Sequence, residues 1–138
     1  MRNVFFSVNG KDELPSADSF LDLILLAQKN MGNSSPGPHT QSIVLRTVKG
    51  NVYHCLISDA LTDDYTEEKQ FVNTLIANGD FEIVQMVSMW PEGCFDMPSY
   101  AFRKMLCELH TNNMNGEMIL SGQDCYIKKT IAETFGHQ

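Results

Sequence analysis

The sequence has little basic charge and no long apolar run. Ten lysine and arginine residues stand against seventeen acidic ones, which gives the 138-residue chain a formal net charge of -7. Nucleic-acid backbones and anionic membranes bind basic faces, so this balance disfavours both as the main partner. No apolar run approaches the ~20 residues of a membrane span, and the apolar stretch near the start is too short for a secretory signal. We therefore expect a cytoplasmic protein.

Cysteine is also scarce, and the four present form no tight framework. They are Cys55, Cys94, Cys107 and Cys125, and without a signal peptide we expect reduced thiols. The sequence has no CxxC or HxxxH pair and no Gly-rich phosphate loop. Cys107 and His110 fall on one face of a predicted helix, so a metal set drawn from Cys94, Cys107, His110 and Cys125 is an alternative to the simpler expectation of buried cysteines and a surface histidine.

The rest of the composition is that of a globular domain. Hydrophobic residues make up 43% of the chain and charged residues 20%, which argues against wholesale disorder. A chain of this length buries roughly two-thirds of its unfolded surface without help from metals or disulfides. We predict a single domain over residues 1–138, with its core at about 16–136.

The hydrophobic pattern predicts helices that alternate with β-hairpins. Helices are predicted at about 16–29, 66–78, 99–110 and 130–135, and strands at 42–48, 52–58, 81–90, 117–120 and 125–128. A further short strand is predicted at 3–8, and 31–41 reads as a loop rich in Gly, Ser and Pro. Lys49-Gly50-Asn51 leaves room only for an antiparallel hairpin. This order predicts an α/β fold, a three-layer α/β/α sandwich with a mixed sheet.

The order of elements and the loop lengths resemble the cytidine deaminase family over about residues 16–136. Ser35-Pro36 lies in the loop before the hairpin, where family members have Ser-Pro. The segment YIKKTIAETFG, residues 126–136, is similar to the family's last strand and helix. The resemblance implies a mixed five-stranded sheet and a homo-oligomer, because family members of this length are commonly dimers or tetramers.

Family members carry Cys/His-Ala-Glu at one helix start and Pro-Cys-Gly-x-Cys at the next. The three Cys or His residues hold a zinc ion that activates water, and the Glu transfers protons. Aligning TEEKQFVNTLIANG with the first motif puts Thr66 at the ligand position and Glu68 at the catalytic Glu. Aligning PSYAFRKMLCEL with the second puts Ser99 and Phe102 at the two Cys positions. The family's Phe near the hairpin start falls near His39.

All three ligand positions therefore hold residues that bind zinc poorly or not at all. The resemblance implies a scaffold with no cofactor, which binds a small nucleoside-like ligand or a protein partner without catalysis. Glu68 would be a vestigial acid, and Thr66, Ser99, Phe102 and His39 would line the binding site. In the simpler interpretation these residues have structural roles only. Glu68 interacts favourably with the helix dipole, Thr66 and Ser99 cap their helices, and Phe102 packs in the core.

Two enzymatic alternatives stay open from the sequence. An active zinc-dependent nucleoside deaminase would need non-standard ligands, such as Cys94 and Cys107 with a histidine. A metal-free hydrolase would use Glu68 as general base and Ser99 as nucleophile, although no histidine lies near Ser99 in the sequence. If the alignment is right, Glu68 should turn toward the starts of the two helices. Phe102 should then either fill the zinc volume or point into the core.

Overall fold

Three helices and five strands make up residues 20–136, the part of the chain that the computed structural model describes. The helices are α1 (Leu21–Gly32), α2 (Thr66–Ala77) and α3 (Tyr100–Leu109). The strands are β1 (Gln41–Thr47), β2 (Val52–Ile57), β3 (Ile83–Met89), β4 (Glu117–Ser121) and β5 (Tyr126–Thr130). Short 3-10 turns follow at Thr111–Asn115 and Ala132–Phe135. The predicted strand at 3–8 and the predicted helix start at Ser16 lie outside the described residues.

The five strands form one mixed sheet in the order β2-β1-β3-β4-β5. β1 pairs antiparallel with both β2 and β3, β3 pairs parallel with β4, and β4 pairs antiparallel with β5. The short connections β1–β2 and β4–β5 allow only antiparallel pairing, whereas α3 provides the crossover that the parallel pair needs. The predicted mixed five-stranded sheet is confirmed.

Helices cover both faces of the sheet. Successive side chains of a strand point to opposite faces, so Val44 of β1 packs against α1, while Ile43 and Leu45 pack against α2 and α3. The core on the α1 face includes Phe20 and Leu23, and the core on the other face is the larger one. The three-layer α/β/α prediction is confirmed. Among residues 20–136, no helix combines the length and the apolar content needed to cross a bilayer.

The sequence misplaced the ends of several elements. The predicted loop at 31–41 is too long, because Met31 packs into the α1 core and extends that helix to Gly32, while Gln41 already belongs to β1. The predicted last helix at 130–135 is also wrong. Thr130 pairs with Glu117 as the end of β5, and only a 3-10 turn follows.

A polar contact fixes the end of α2 over the hairpin. α2 ends at Ala77 and is followed by Asn78 and by Gly79, whose φ of 63° is left-handed, a conformation common just after helix ends. The next residue, Asp80, is 2% exposed and accepts hydrogen bonds from Asn51 Nδ2 at 2.7 Å and from the Tyr53 hydroxyl at 3.0 Å. Lys49 Nζ donates to the Gly79 carbonyl at 2.9 Å. These bonds hold α2 in register with β2.

Candidate functional site

The starts of α2 and α3 are held by different side-chain contacts. Ser99 precedes α3, and its Oγ accepts a hydrogen bond from the Phe102 N–H at 3.1 Å, which is the predicted cap. Thr66 is the first residue of α2 and does not cap it. Its N–H donates to Asp64 Oδ1 at 3.0 Å, and its hydroxyl donates to the same oxygen. Both hydroxyls of the predicted site therefore already have protein partners.

Glu68 lies inside the protein with an incompletely paired carboxylate. The side chain is 2% exposed, and Oε1 has no hydrogen-bond partner among the described residues. Burial raises the pKa of Glu68, and the negative charges of Glu67 and Asp64 raise it further, while a hydrogen bond from its own backbone N–H acts in the opposite direction. The carboxyl group therefore favours its protonated form more than an exposed Glu does.

Cys55 of β2 faces the same buried layer as Glu68. Burial raises the pKa of the Cys55 thiol well above its ordinary value, and the charges of Glu68 and Glu67 raise it further. The thiolate is the form that attacks electrophiles and binds metals. A thiol held in its neutral form beside a carboxyl group is therefore a poor nucleophile and a poor zinc ligand.

Phe102 occupies the core between α2 and α3. Its side chain is fully buried, and its ring stacks on Phe71 with ring centroids 5.8 Å apart and planes 8° from parallel. Phe71 lies one turn beyond Glu68 on α2. The position that the resemblance assigns to a zinc-binding cysteine is thus filled by one ring of a packed aromatic pair, as in the simpler interpretation that places Phe102 in the core.

His39 and Thr66 lie near a surface pocket of about 340 Å³ at the start of α2. Thr66 is part of its lining, together with Asp59, Asp64 and Glu67. His39 is exposed, and its Nδ1 lies 3.7 Å from Asp59 Oδ1. The charged groups of the pocket lining are all acidic. The structure therefore associates two predicted site residues with this pocket, while Glu68 and Phe102 are buried beneath the helix starts.

The described residues do not fit a zinc ion. The hydroxyls of Thr66 and Ser99 are engaged, and Phe102 offers no donor atom. Across residues 20–136, no three His, Cys, Asp or Glu side chains are grouped so that they could hold a metal. The alternative set does not converge either: Cys94 and Cys125 are exposed on the surface, and His110 Nδ1 accepts the Asn112 N–H at 3.0 Å.

Arg103 is a buried charge that the sequence did not single out. It is 8% exposed, and its guanidinium carbon lies 5.9 Å from the ring centre of Tyr100 and 5.3 Å from that of Phe135. It donates to the carbonyls of Pro98 at 3.0 Å and Thr134 at 2.9 Å. These contacts join the start of α3 to the 3-10 turn at Ala132–Phe135. Tyr100, three residues earlier on the same helix face, is the signal that could have indicated a cation–π pair.

The fold is similar to solved structures of cytidine deaminases. The enzyme from Mycobacterium leprae superposes with a TM-score of 0.59 at 16% identity, over 87% of this chain and 97% of that one. The enzyme from Bacillus anthracis gives 0.58 at 9% identity over 89% of each chain, and that from Burkholderia pseudomallei gives 0.54 at 17% identity over 81% and 93%. No family model and no curated protein sequence matches the chain. This structural similarity shows that the chain has a cytidine deaminase-like fold.

Proposed function

We propose, from the cytidine deaminase fold of this chain, that the protein works by binding and not by deamination. The observation that carries the proposal is the occupation of the three implied ligand positions. Thr66 donates to Asp64, Ser99 caps α3, and the Phe102 ring packs on Phe71. Each of these side chains has a structural partner, and none supplies a thiolate or an imidazole.

The state of Glu68 supports the same proposal. A general base must reach the proton that it removes, and it must be ionised near the working pH. Glu68 is nearly inaccessible, and burial raises its pKa. Its one unpaired oxygen can still accept a hydrogen bond from a buried donor. These properties suit a residual structural or ligand-contacting group better than a proton shuttle.

The surface pocket beside Thr66 favours one class of ligand. Asp59, Asp64 and Glu67 surround it with negative charge, which repels phosphates and attracts N–H and O–H donors. A neutral nucleoside-like molecule carries several such donors on its sugar and base. We therefore expect an unphosphorylated ligand at this pocket, or a protein segment that presents equivalent donors.

Zinc content and turnover test the non-catalytic proposal. The protein is purified without chelators, its zinc is measured by plasma emission, and cytidine and deoxycytidine are followed by the absorbance loss of deamination, with and without added zinc. We expect less than a tenth of a zinc per chain and no turnover. One zinc per chain, or turnover that depends on zinc, would overturn the proposal.

Thermal melting tests the ligand class. Cytidine at millimolar concentration should raise the melting temperature through mass action, whereas cytidine monophosphate should raise it less. Thr66→Val removes the pocket hydroxyl and should reduce the cytidine shift, and Lys104→Gln on the exposed side of α3 serves as the control. If no nucleoside shifts the melting temperature, the small-ligand mode is wrong and a protein partner remains.

A further inference from the structure

The two edges of the sheet differ in how they are protected from pairing. β2 and β5 each have a single strand neighbour within residues 20–136. Exposed edges offer free N–H and C=O groups, and proteins commonly block them with lysine. β5 carries Lys128 and Lys129, whereas β2, with the sequence VYHCLI, has no Lys, Arg, Asp, Glu or Pro. Only β5 therefore has the usual protection.

The alternation of hydrogen bonds between β1 and β2 shows which backbone groups of β2 point away from the sheet. The Thr47 N–H donates to the Asn51 carbonyl at 2.9 Å. In an antiparallel pair, every second residue directs its backbone N–H and C=O groups to the neighbouring strand. Following the β1–β2 register from Asn51, these residues are Tyr53, Cys55 and Ile57. The N–H and C=O groups of the alternate residues, Val52, His54 and Leu56, then face away from the sheet.

The end of this outward-facing row is closed by an acidic side chain. The Ser58 N–H continues the same alternation, and it donates to Glu67 Oε1 at 2.8 Å. The Ser58 hydroxyl donates to Glu67 Oε2 at 2.7 Å. The free part of the edge is therefore bounded at one end by Glu67 and at the other by the hairpin turn. It is a short edge with three residues available for pairing.

We propose that β2 pairs antiparallel with β2 of a second copy of this chain, so that the two sheets become one across a two-fold axis at His54. In this register Val52 faces Leu56 of the partner, His54 faces its own counterpart, and Leu56 faces the partner's Val52. Each of these three pairs exchanges two backbone hydrogen bonds. A two-fold axis makes both copies use the same surface, which this register satisfies.

Charge selects this surface over the others. Each copy carries a net charge of -7, so two copies repel unless they meet where like charges are absent. Neutral residues fill the edge itself, and Val52 is 38% exposed. Beside the edge lies a groove of about 290 Å³ between β2 and α2, whose helical side includes Gln70, Thr74 and Glu67. The Glu67 carboxylate accepts from Ser58 at the closed end of the edge. The three pairing residues are uncharged, and the two-fold axis at His54 puts the two Glu67 side chains at opposite ends of the paired strands. The edge therefore fits a second, identical edge.

The interface is small, so the dimer should be weak. A six-residue strand spans about 20 Å, and contacts this limited fall at the low end of specific interfaces. Sedimentation velocity should show the 15.6 kDa monomer at low micromolar concentration and a species of twice that mass as the concentration approaches roughly 500 µM. A single monomer species over the whole range would overturn the proposal.

Substitutions on the two edges distinguish β2 from β5. His54→Lys places two positive charges face to face at the two-fold axis and should abolish the dimer, because like charges directly opposite destabilise a strand pair. Ile127→Lys is the matched change on β5 and should leave the dimer intact. Loss of the dimer in the β5 variant, with retention in the β2 variant, would assign the contact to the other edge and overturn the proposal.

A cross-link supplies a test that does not depend on weakening the protein. Opposed residues of a hydrogen-bonded antiparallel pair have Cα atoms about 5.5 Å apart, within the range of a disulfide. In a background in which Cys94 and Cys125 are serine, His54→Cys should give a disulfide-linked dimer on mild oxidation, and Ile127→Cys should not. The β2 pairing is contradicted if only Ile127→Cys gives a linked dimer, and also if neither variant gives one. If this protein proves to be a zinc-containing enzyme, the proposed binding function is refuted, but the expected cross-link through β2 does not change.

Discussion

Glu68 shows how one buried side chain makes stability depend on pH. Because burial raises its pKa, the folded protein binds this proton more tightly than the unfolded chain, whose Glu titrates at about 4.3. As the pH rises from that value toward neutrality, the unfolded state loses the proton first and is favoured. Glu68 therefore contributes stability at acidic pH that is lost as the pH rises through the folded pKa.

We expect Glu68→Gln to remove this dependence. The neutral amide avoids the cost of burying a charge, so the variant should be more stable than the wild type by about 1 kcal/mol or more at pH 7. The difference should shrink toward pH 4.5. Urea unfolding at several pH values measures it, and Glu92→Gln, at an exposed turn position, is the control. A variant less stable than the wild type at every pH would mean that the carboxylate has a stabilising partner.

The Phe102 ring should contribute more to stability than any other predicted site residue. Phe102→Ala removes a fully buried ring that stacks on Phe71, and a change of this kind costs about 3–5 kcal/mol. Phe102→Leu keeps most of the volume and should cost less than about 1.5 kcal/mol. Urea unfolding measures both variants. If Phe102→Ala costs under about 1 kcal/mol, the aromatic pair is not the packed unit described above.

At the scale of elements, the end of α2 should tolerate substitution less well than the end of α1. Gly79 has a φ of 63°, and neither it nor Gly32 has a described atom within 4 Å of the place where a Cβ would stand. Gly79→Ala should therefore cost about 1–2 kcal/mol through backbone strain alone. Gly32→Ala, at a helical position, should be neutral or stabilising by up to about 1 kcal/mol. Thermal unfolding of the pair measures the difference, and equal effects would contradict this account.

The sequence predicted most elements because their signals are local. The Lys49-Gly50-Asn51 turn fixes the β1–β2 boundary by backbone geometry, and the hydrophobic pattern predicts where the helices lie. The site contacts could not be predicted in this way. The stacking of Phe71 on Phe102 and the approach of Glu68 to Cys55 join elements far apart in the chain, and their spacing carries no periodic signal. The contact between Asp64 and Thr66 was missed because Thr66 is itself a residue type suited to helix capping.

At the scale of the whole molecule, the fold depends on pattern more than on residue identity. The chain shares its architecture with deaminases at identities of 9% and 16%. An interior of suitable size and hydrophobicity is enough to keep a fold, so the same layers can form from sequences with these low identities. Function depends on the side chains of a site and not on the fold, so the proposed binding role of this chain requires no change in the scaffold.

The central position of β1 has a consequence for how the molecule opens. β1 lies between two antiparallel partners, and six of its seven residues are buried. Its amides can reach solvent deuterium only when the whole sheet separates, so Ile43, Val44 and Leu45 should exchange at the rate set by global unfolding. The amides of β5, which is exposed along four of its five residues, should exchange through local fraying at least tenfold faster. Deuterium uptake by mass spectrometry measures both, and equal protection would show that the sheet opens as one unit.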